Sequence, residues 1–523
     1  MIKNFKWLLL VSLTFIACTS NDEEVIDQNS SDGLPLTAGT ADFSKYVALG
    51  NSLTAGFSDG ALFIKAQEGA YPNLLAQQFA FVGGGEFKTP FMNDNIGGLL
   101  LGGTQIAEQR RFFNGSAPAL VTGPPTTEVS NFLTGSYNNL GVPGAKSFHL
   151  LSNSYGNIAG IGTFSNPYFV RFASSPSATI LGDAVAQNPT FFSLWIGNND
   201  VLSYATSGGT GANQLGNLNP ATYGGNDITD PNVFGSVYST LLDGLTANGA
   251  KGVVANIPDI TSIPFFSTIP FDSVRGLSVA QVTQLNQLFG GINAALAGAG
   301  LPPRFVTLIA DDGNPATTTD KNPLLIIDET LPNISSQITA ALTPLFGAAG
   351  AAFLGNQYGT ARHARGTVGD RDYILLTTLG LISPPNNIQA GIPPGLSTFA
   401  VRGVTFPLQD AAVLTANESL QVKTATTAYN TSIRALATAK DLAFVDANAI
   451  FNLVASDGAS NGGYTINTTF VTGGAFSLDG VHPSPRGYSF IANEFLKAIN
   501  LRYGSNFKGY DFSDFRIMFP SVL

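Results

Sequence analysis

The sequence predicts an α/β fold organised around a parallel sheet. Three observations carry this. Apolar runs of strand length end in glycine or asparagine turns. Segments with apolar residues every three or four positions lie between them. The two kinds of segment alternate along the chain, the pattern that generates parallel sheets with crossover helices.

The first run, Tyr46-Val47-Ala48-Leu49, stops at Gly50 and reads as a buried strand. A helix-like start follows at Tyr71-Pro72-Asn73-Leu74-Leu75-Ala76. Asn139-Leu140-Gly141-Val142 reads as a strand running into a turn at Pro143-Gly144. The β-prone run from Thr190 to Ile196 is stopped by Gly197-Asn198-Asn199-Asp200. Val233, Val237, Leu241 and Leu245 lie four apart on a helix, and Gly252 to Ile257 is a further strand. Two later helices open on capping boxes, Ser278-x-x-Gln281 and Thr415-x-x-Glu418, whose side chains satisfy free N–H groups. The first continues through Val279, Val282, Leu285, Phe289, Ile292 and Leu296, and the second runs to about Lys440. Leu442 to Asp446 is the last strand, and a helix from about Pro485 to Asn500 closes the pattern. Residues 42–523 are expected to form one domain, with large insertions at about 57–137, 201–231 and 258–414. The uncharged stretch Ile338–Gly355 contains Pro344, Gly347 and Gly350, and it reads as a buried or lid-forming helix rather than a membrane span.

Composition narrows the function. Charged residues make up 11% of the 523, against roughly 25% in typical soluble domains, and the net charge is −10. No basic cluster is present to displace counterions from phosphates, so nucleic acid is excluded as a partner. One cysteine rules out a disulfide framework or a cysteine zinc site. Three histidines, His149, His363 and His482, lie too far apart for a histidine-rich metal site. No metal is expected. Asp311-Asp312-Gly313-Asn314 has oxygen ligands for calcium, but a solvated turn is the default reading.

Residues 1–17 read as an export signal. Lys3 and Lys6 precede an apolar run, Trp7 to Ile16, that is too short to span a bilayer. Phe15-Ile16-Ala17-Cys18 resembles the lipobox of bacterial lipoproteins, with Phe15 where leucine is usual. That resemblance implies cleavage before Cys18, a lipid on its thiol and membrane attachment. The expected location is the cell envelope, at the outer membrane or surface of a Gram-negative bacterium. An ordinary secretory signal with an incidental cysteine is the alternative. Residues 18–41 are polar and acidic and read as a disordered tether. The run Asn21-Asp22-Glu23-Glu24 resembles surface-export tags, and a solvated spacer has the same composition.

Four short segments carry the chemistry. Ser52, in Gly50-Asn51-Ser52-Leu53-Thr54-Ala55-Gly56, follows the first strand directly and stands at the sheet edge where ligands bind. A serine capping the next helix would look the same. In Asp479-Gly480-Val481-His482-Pro483 a carboxylate three residues ahead of an imidazole can hold its Nδ1, freeing Nε2 to take a proton. Asn199 can offer a side-chain amide, and Gly144 a backbone N–H, to an oxyanion at the same edge. Each of these also reads as an ordinary turn.

Together, and in this order, these segments resemble the SGNH or GDSL hydrolases. Gly50 to Thr54 is similar to the first block of that family, Asn139 to Ser147 to the second, Gly197 to Asp200 to the third and Asp479 to Pro483 to the fifth. The resemblance implies a flavodoxin-like three-layer α/β/α sandwich and ester hydrolysis without a cofactor. It makes Ser52 the nucleophile, His482 the base and Asp479 its orienting partner, with the Ser52 N–H, Gly144 and Asn199 forming the oxyanion hole. The family usually carries aspartate where this chain has Asn51. A second serine, Ser460 in Gly458-Ala459-Ser460-Asn461-Gly462, matches G-x-S-x-G but lacks the flanking strand and helix and reads as a loop. The expected function is a serine esterase or lipase-like hydrolase acting through an acyl-serine on a lipid-like ester. A carbohydrate O-acetyl esterase using the same site is one alternative. A non-catalytic, amphiphile-binding surface lipoprotein is the other.

Overall fold

Five parallel strands frame the molecule: β1 (Tyr46–Gly50), β2 (Asn139–Gly141), β3 (Phe191–Trp195), β4 (Lys251–Ala255) and β5 (Ala443–Val445). They lie in the spatial order β5-β4-β3-β1-β2, every pairing parallel. This is the flavodoxin-like order of a doubly wound sheet, whose winding reverses between β1 and β3 and opens a crevice at their C-terminal ends. The computed structural model describes residues 29–523 apart from 315, 316, 318 and 385. The expected signal segment 1–17 and Cys18 lie outside the described residues.

The helices that matter for the site are α1 (Ser52–Ala55), α2 (Tyr71–Ala80), α3 (Asn199–Thr206), α4 (Pro231–Thr246), α5 (Val279–Gly298), α6 (Ser335–Tyr358), α7 (Ala416–Ala439) and α8 (Pro485–Tyr503). Every residue of β1 and β3 is buried, as apolar runs covered on both faces must be. On one face the Phe191 ring meets Phe79 of α2 and Tyr503 of α8, and Trp195 meets Tyr71 and Phe495 of the same helices. On the other, α4 and α7 pack together, with Phe234 stacked on Tyr429 at 4.2 Å. The result is the three-layer sandwich that the family resemblance implied, built on the parallel sheet that the alternation of elements predicted.

The helix starts follow their sequence signals. Gln281 accepts from the Ser278 N–H at 2.9 Å, and Glu418 from the Thr415 N–H at 2.7 Å. Asp230 caps α4 ahead of Pro231, and Ser484 caps α8 ahead of Pro485. Helix α8 runs three residues past the expected Asn500 and ends at Gly504, whose φ of 71° supplies the left-handed turn.

Three expectations need correction. Residues 29–41 of the expected tether are docked on the chain that leaves α8. Ser31 N–H donates to Asn506 O, Thr37 N–H to Asn506 Oδ1 and Thr40 N–H to Tyr503 O, each at 2.8 Å. Polar composition misled here because the segment is held through its backbone, which composition does not report. Residues 201–206 of the second insertion continue α3. The third insertion, 258–414, has a core of its own, including Leu285, Phe289, Ile292, Leu325, Ile338 and Leu354.

Within that insertion α6 is long and apolar enough to cross a membrane by length and composition. Its Ile338, Leu342, Ala351, Leu354 and Tyr358 are instead buried in the insertion core, and the helix is broken at Gly347, where φ is 67°. A cavity of about 920 Å³ lies between α5 and α6, walled by Leu285, Leu288, Ile292, Ile338, Leu342 and Phe346.

A buried ion trio fastens the insertion to the sheet layers. Arg362, 4% exposed, donates to Asp328 at 2.6 Å and in bidentate fashion to Asp372 at 2.5 and 2.8 Å. Asp372 also accepts the N–H of Ala416, the first residue of α7. Removing the guanidinium strands two buried carboxylates. Arg362→Met is therefore expected to cost roughly 3–5 kcal/mol, read as a lower chemical-unfolding midpoint. An unchanged midpoint would exclude the trio as a fastener.

Candidate active site

Ser52 is the first residue of α1 and stands where β1 ends. The approach is tight. A Cβ on Gly50 would lie 2.4 Å from Trp195 O and 2.1 Å from Thr54 Oγ1, so only glycine fits there. Asn51 caps the short helix by accepting from the Leu53 N–H at 3.0 Å, and its Nδ2 donates to Asn198 Oδ1 at 3.2 Å. A carboxylate in its place could make only the first of these bonds.

The Ser52 hydroxyl lies 2.8 Å from His482 Nε2, and His482 Nδ1 lies 2.8 Å from Asp479 Oδ2. An ionised carboxylate only accepts, so the proton sits on Nδ1 and Nε2 accepts from Ser52. Asp479 is itself held on four sides. Oδ1 accepts from the N–H groups of Val481 and His482 at 2.9 Å and from the Ser477 hydroxyl at 3.1 Å, and Oδ2 accepts from the Gly60 N–H at 3.0 Å. Burial alone would raise the Asp479 carboxyl. The His482 ring and these N–H groups override it and hold the group down at about 2. The Phe57 ring packs against the imidazole at 4.6 Å.

The other sequence-named groups stand nearby. Asn199 opens α3 and lines the same cleft as Ser52 and His482. Its Nδ2 donates one hydrogen to Ala145 O at 2.9 Å, which leaves the second for another acceptor. That bond ties α3 to the turn containing Gly144, where φ is 81°. Buried Asp200 reinforces the link by accepting from the Ser147 N–H at 2.8 Å and hydroxyl at 2.7 Å.

The segment Phe57–Gly60 was not legible as part of the site. Asp59 is 1% exposed with a φ of 53°, in the left-handed region that aspartate tolerates better than most residues. It accepts from the Leu478 N–H at 2.9 Å, and its own N–H donates to Ser477. Burial pushes its carboxyl up to about 7 against the Leu478 N–H, and the Asp479 charge adds to the rise. The only sequence signal was an Asp-Gly turn pair after α1.

The remaining candidates separate from the site. His149 accepts the Lys146 N–H and stacks on Tyr155, and burial lowers it to about 3. His363 accepts the Val306 N–H inside the insertion, and burial lowers it to about 4. Ser460 is on an antiparallel hairpin, Ala459–Asn461 with Tyr464–Ile466, rather than in a loop, and its hydroxyl bonds Thr465. In the Asp311-Asp312 turn, the side chains accept from the Gly313 and Asn314 N–H groups.

The cleft at Ser52 is walled by Leu53, Trp195, Leu202, Ile260, Ile263 and Phe476, among others, and encloses about 40 Å³. It shares no lining residue with the 920 Å³ cavity of the insertion.

A family model for GDSL-like lipase/acylhydrolase matches residues 46–308. That span holds Ser52, Gly144 and Asn199 and ends before Asp479 and His482. Searches of curated proteins and of solved structures found no match. With half of its length matched, its strands in flavodoxin-like order and a serine, a histidine and an aspartate in line at the sheet edge, the chain belongs to the GDSL-like lipase/acylhydrolase family, whose chemistry is ester hydrolysis.

Proposed function

We propose that the protein hydrolyses carboxylic esters through an acyl-serine at Ser52. The observation that carries this reading is the unbroken line of hydrogen bonds from Ser52 through His482 to Asp479. Ser52 Oγ attacks the ester carbonyl as Nε2 of His482 takes its proton, and Asp479 stabilises the resulting imidazolium. The negative charge on the carbonyl oxygen is met by the free hydrogen of Asn199 Nδ2 and the N–H groups of Ser52 and Gly144. His482 then protonates the departing alcohol. In the second half it activates water, which releases the acid and restores Ser52.

The size of the cleft bears on the acyl group. The free space at Ser52 is small, about 40 Å³. An acetyl group fits that space, whereas a longer chain must push past the buried side chains of Ile260, Ile263 and Phe476. This favours short-acyl esters, including O-acetyl groups on glycans, over long-chain lipid esters. A p-nitrophenyl series from acetate to octanoate, beside an acetylated glycan, tests it. kcat/KM falling with chain length supports the short-acyl reading, and a rising series overturns it.

We also propose that Cys18 carries a lipid and tethers the domain to a membrane of the cell envelope. Support comes from the apolar run and the small residue before the cysteine. Cys18→Ala is expected to move the protein from the membrane to the soluble fraction and to end labelling by a fatty-acid analogue. Retained labelling would reject the site.

Ser52→Ala is expected to abolish ester turnover and covalent capture by a fluorophosphonate without changing the unfolding midpoint. Persisting capture would remove Ser52 as nucleophile. Asn199→Ala is expected to lower kcat by roughly 10²–10³, the usual cost of one oxyanion donor. A loss below about threefold would remove Asn199 from that role.

A further inference from the structure

Three carboxylates meet where the insertion touches the sandwich. Glu329 follows the insertion strand Leu325–Ile327, Asp410 lies near the insertion's end, and Glu418 is in the first turn of α7. Each presents an oxygen within 4.8 Å of the others. Glu418 is 2% exposed, and its Oε2 already accepts from the N–H and hydroxyl of Thr415. Its Oε1 is buried without a hydrogen-bond partner, and so is Oδ1 of Asp410. An orphaned carboxylate oxygen in the interior is costly, and three carboxylates with oxygens within 4.8 Å of one another are costlier still.

The surroundings fit a cation. The backbone of Gly209 lies so close that a Cβ there would come within 2.1 Å of Glu418 Oε1, so glycine leaves the oxygen its space. Tyr204 of α3 lies within reach of the charges of Glu418, Glu329 and Asp410. Exposed Glu329 opens the cluster to solvent, which gives an ion a way in.

We propose that Glu329, Asp410 and Glu418 bind one divalent cation, calcium in preference to magnesium, which pins the insertion to α7 and to the end of α3. The ligands are hard oxygens, the class calcium takes. Two oxygens on opposite sides of a calcium ion, at roughly 2.3–2.6 Å each, stand about 4.6–5.2 Å apart, and three spaced evenly stand about 4.0–4.5 Å apart, so a cluster within 4.8 Å matches the span calcium bridges. Magnesium needs about 2.0–2.1 Å and a near-ideal octahedron. Water completes the shell on the Glu329 side. The second acidic group, Asp311, Asp312 and Asp320, differs. Its carboxylates already accept from Gly313, Asn314 and Thr317 or pair with Arg275. The cation site goes beyond the esterase reading and does not depend on Ser52.

Terbium luminescence with tyrosine excitation tests the proposal on the folded full chain, using Ser52→Ala in parallel so that loss of turnover leaves the readout untouched. Saturable one-to-one emission is expected, displaced by calcium at far lower concentration than by magnesium. Calcium is also expected to raise the unfolding midpoint above that in EDTA. Glu329→Gln, at the exposed ligand, is expected to weaken terbium binding roughly tenfold or more. Tyr204→Phe is expected to dim the emission while keeping the calcium-dependent midpoint shift. Asp311→Asn is expected to change neither. The proposal is overturned if the midpoint is the same in calcium and EDTA with no saturable emission. It is equally overturned if binding survives Glu329→Gln and is lost in Asp311→Asn.

Discussion

The Ser52 hydroxyl and the His482 imidazole are 430 residues apart in the chain and 2.8 Å apart in space. No local structure can join them. They meet because β1 ends, and the loop before α8 begins, at the same edge of a sheet whose winding reverses between β1 and β3. Any change to the strand order would separate the two groups before it disturbed either one locally. The length of intervening chain is a smaller obstacle than it looks, because closure entropy grows only with the logarithm of loop length. An insertion of the size of 258–414 is therefore tolerable, provided that it orders itself. Its own core and the Arg362 ion trio do that.

The insertion also reaches the site. Phe265 N–H donates to Gly480 O at 2.9 Å, inside the loop that carries Asp479 and His482. A Cβ on Gly480, where φ is 72°, would strike the Leu376 side chain at 2.7 Å. Ile260 and Ile263, at the insertion's start, wall the cleft. The segment that elaborates the fold thus buttresses the loop of the imidazole and walls one side of the cleft. The large apolar cavity inside it is separate from the cleft at Ser52.

What was legible in the sequence follows from which forces leave a trace there. Strands buried on both faces must be continuous apolar runs, so β1, β3 and β4 stood out. Capping boxes place a carboxyl or amide at a set spacing, so α5 and α7 had visible starts. His482 was the one histidine with a carboxylate three residues ahead. Contacts made by backbone groups leave no such trace. The docking of residues 31–40 on the chain after α8 and the bond from Gly60 to Asp479 are both of this kind. Glu418 shows a subtler failure. As the capping residue for Thr415 it looked fully explained, yet that role uses only Oε2. The same carboxylate lies beside those of Glu329 and Asp410, which are 89 and 8 residues away in sequence and belong to the insertion.

Asn51 departs from the aspartate usual at that position, and the geometry gives the exchange a physical meaning. The cap on the Leu53 N–H needs an acceptor at residue 51, which an amide and a carboxylate both provide. The bond to Asn198 Oδ1 needs a donor, which only the amide provides while Asn198 keeps its orientation. Asn198 immediately precedes Asn199, so this donor steadies the start of α3 against β1. Charge points the same way. A carboxylate at residue 51 would place a full negative charge one residue from Ser52, where the proposed reaction develops its oxyanion. In a dry cleft like charges are poorly screened and raise the barrier they flank. The neutral amide keeps the cap, adds a link to α3 and removes that repulsion. Substitution by asparagine is therefore compatible with the hydrolytic geometry and does not mark its decay.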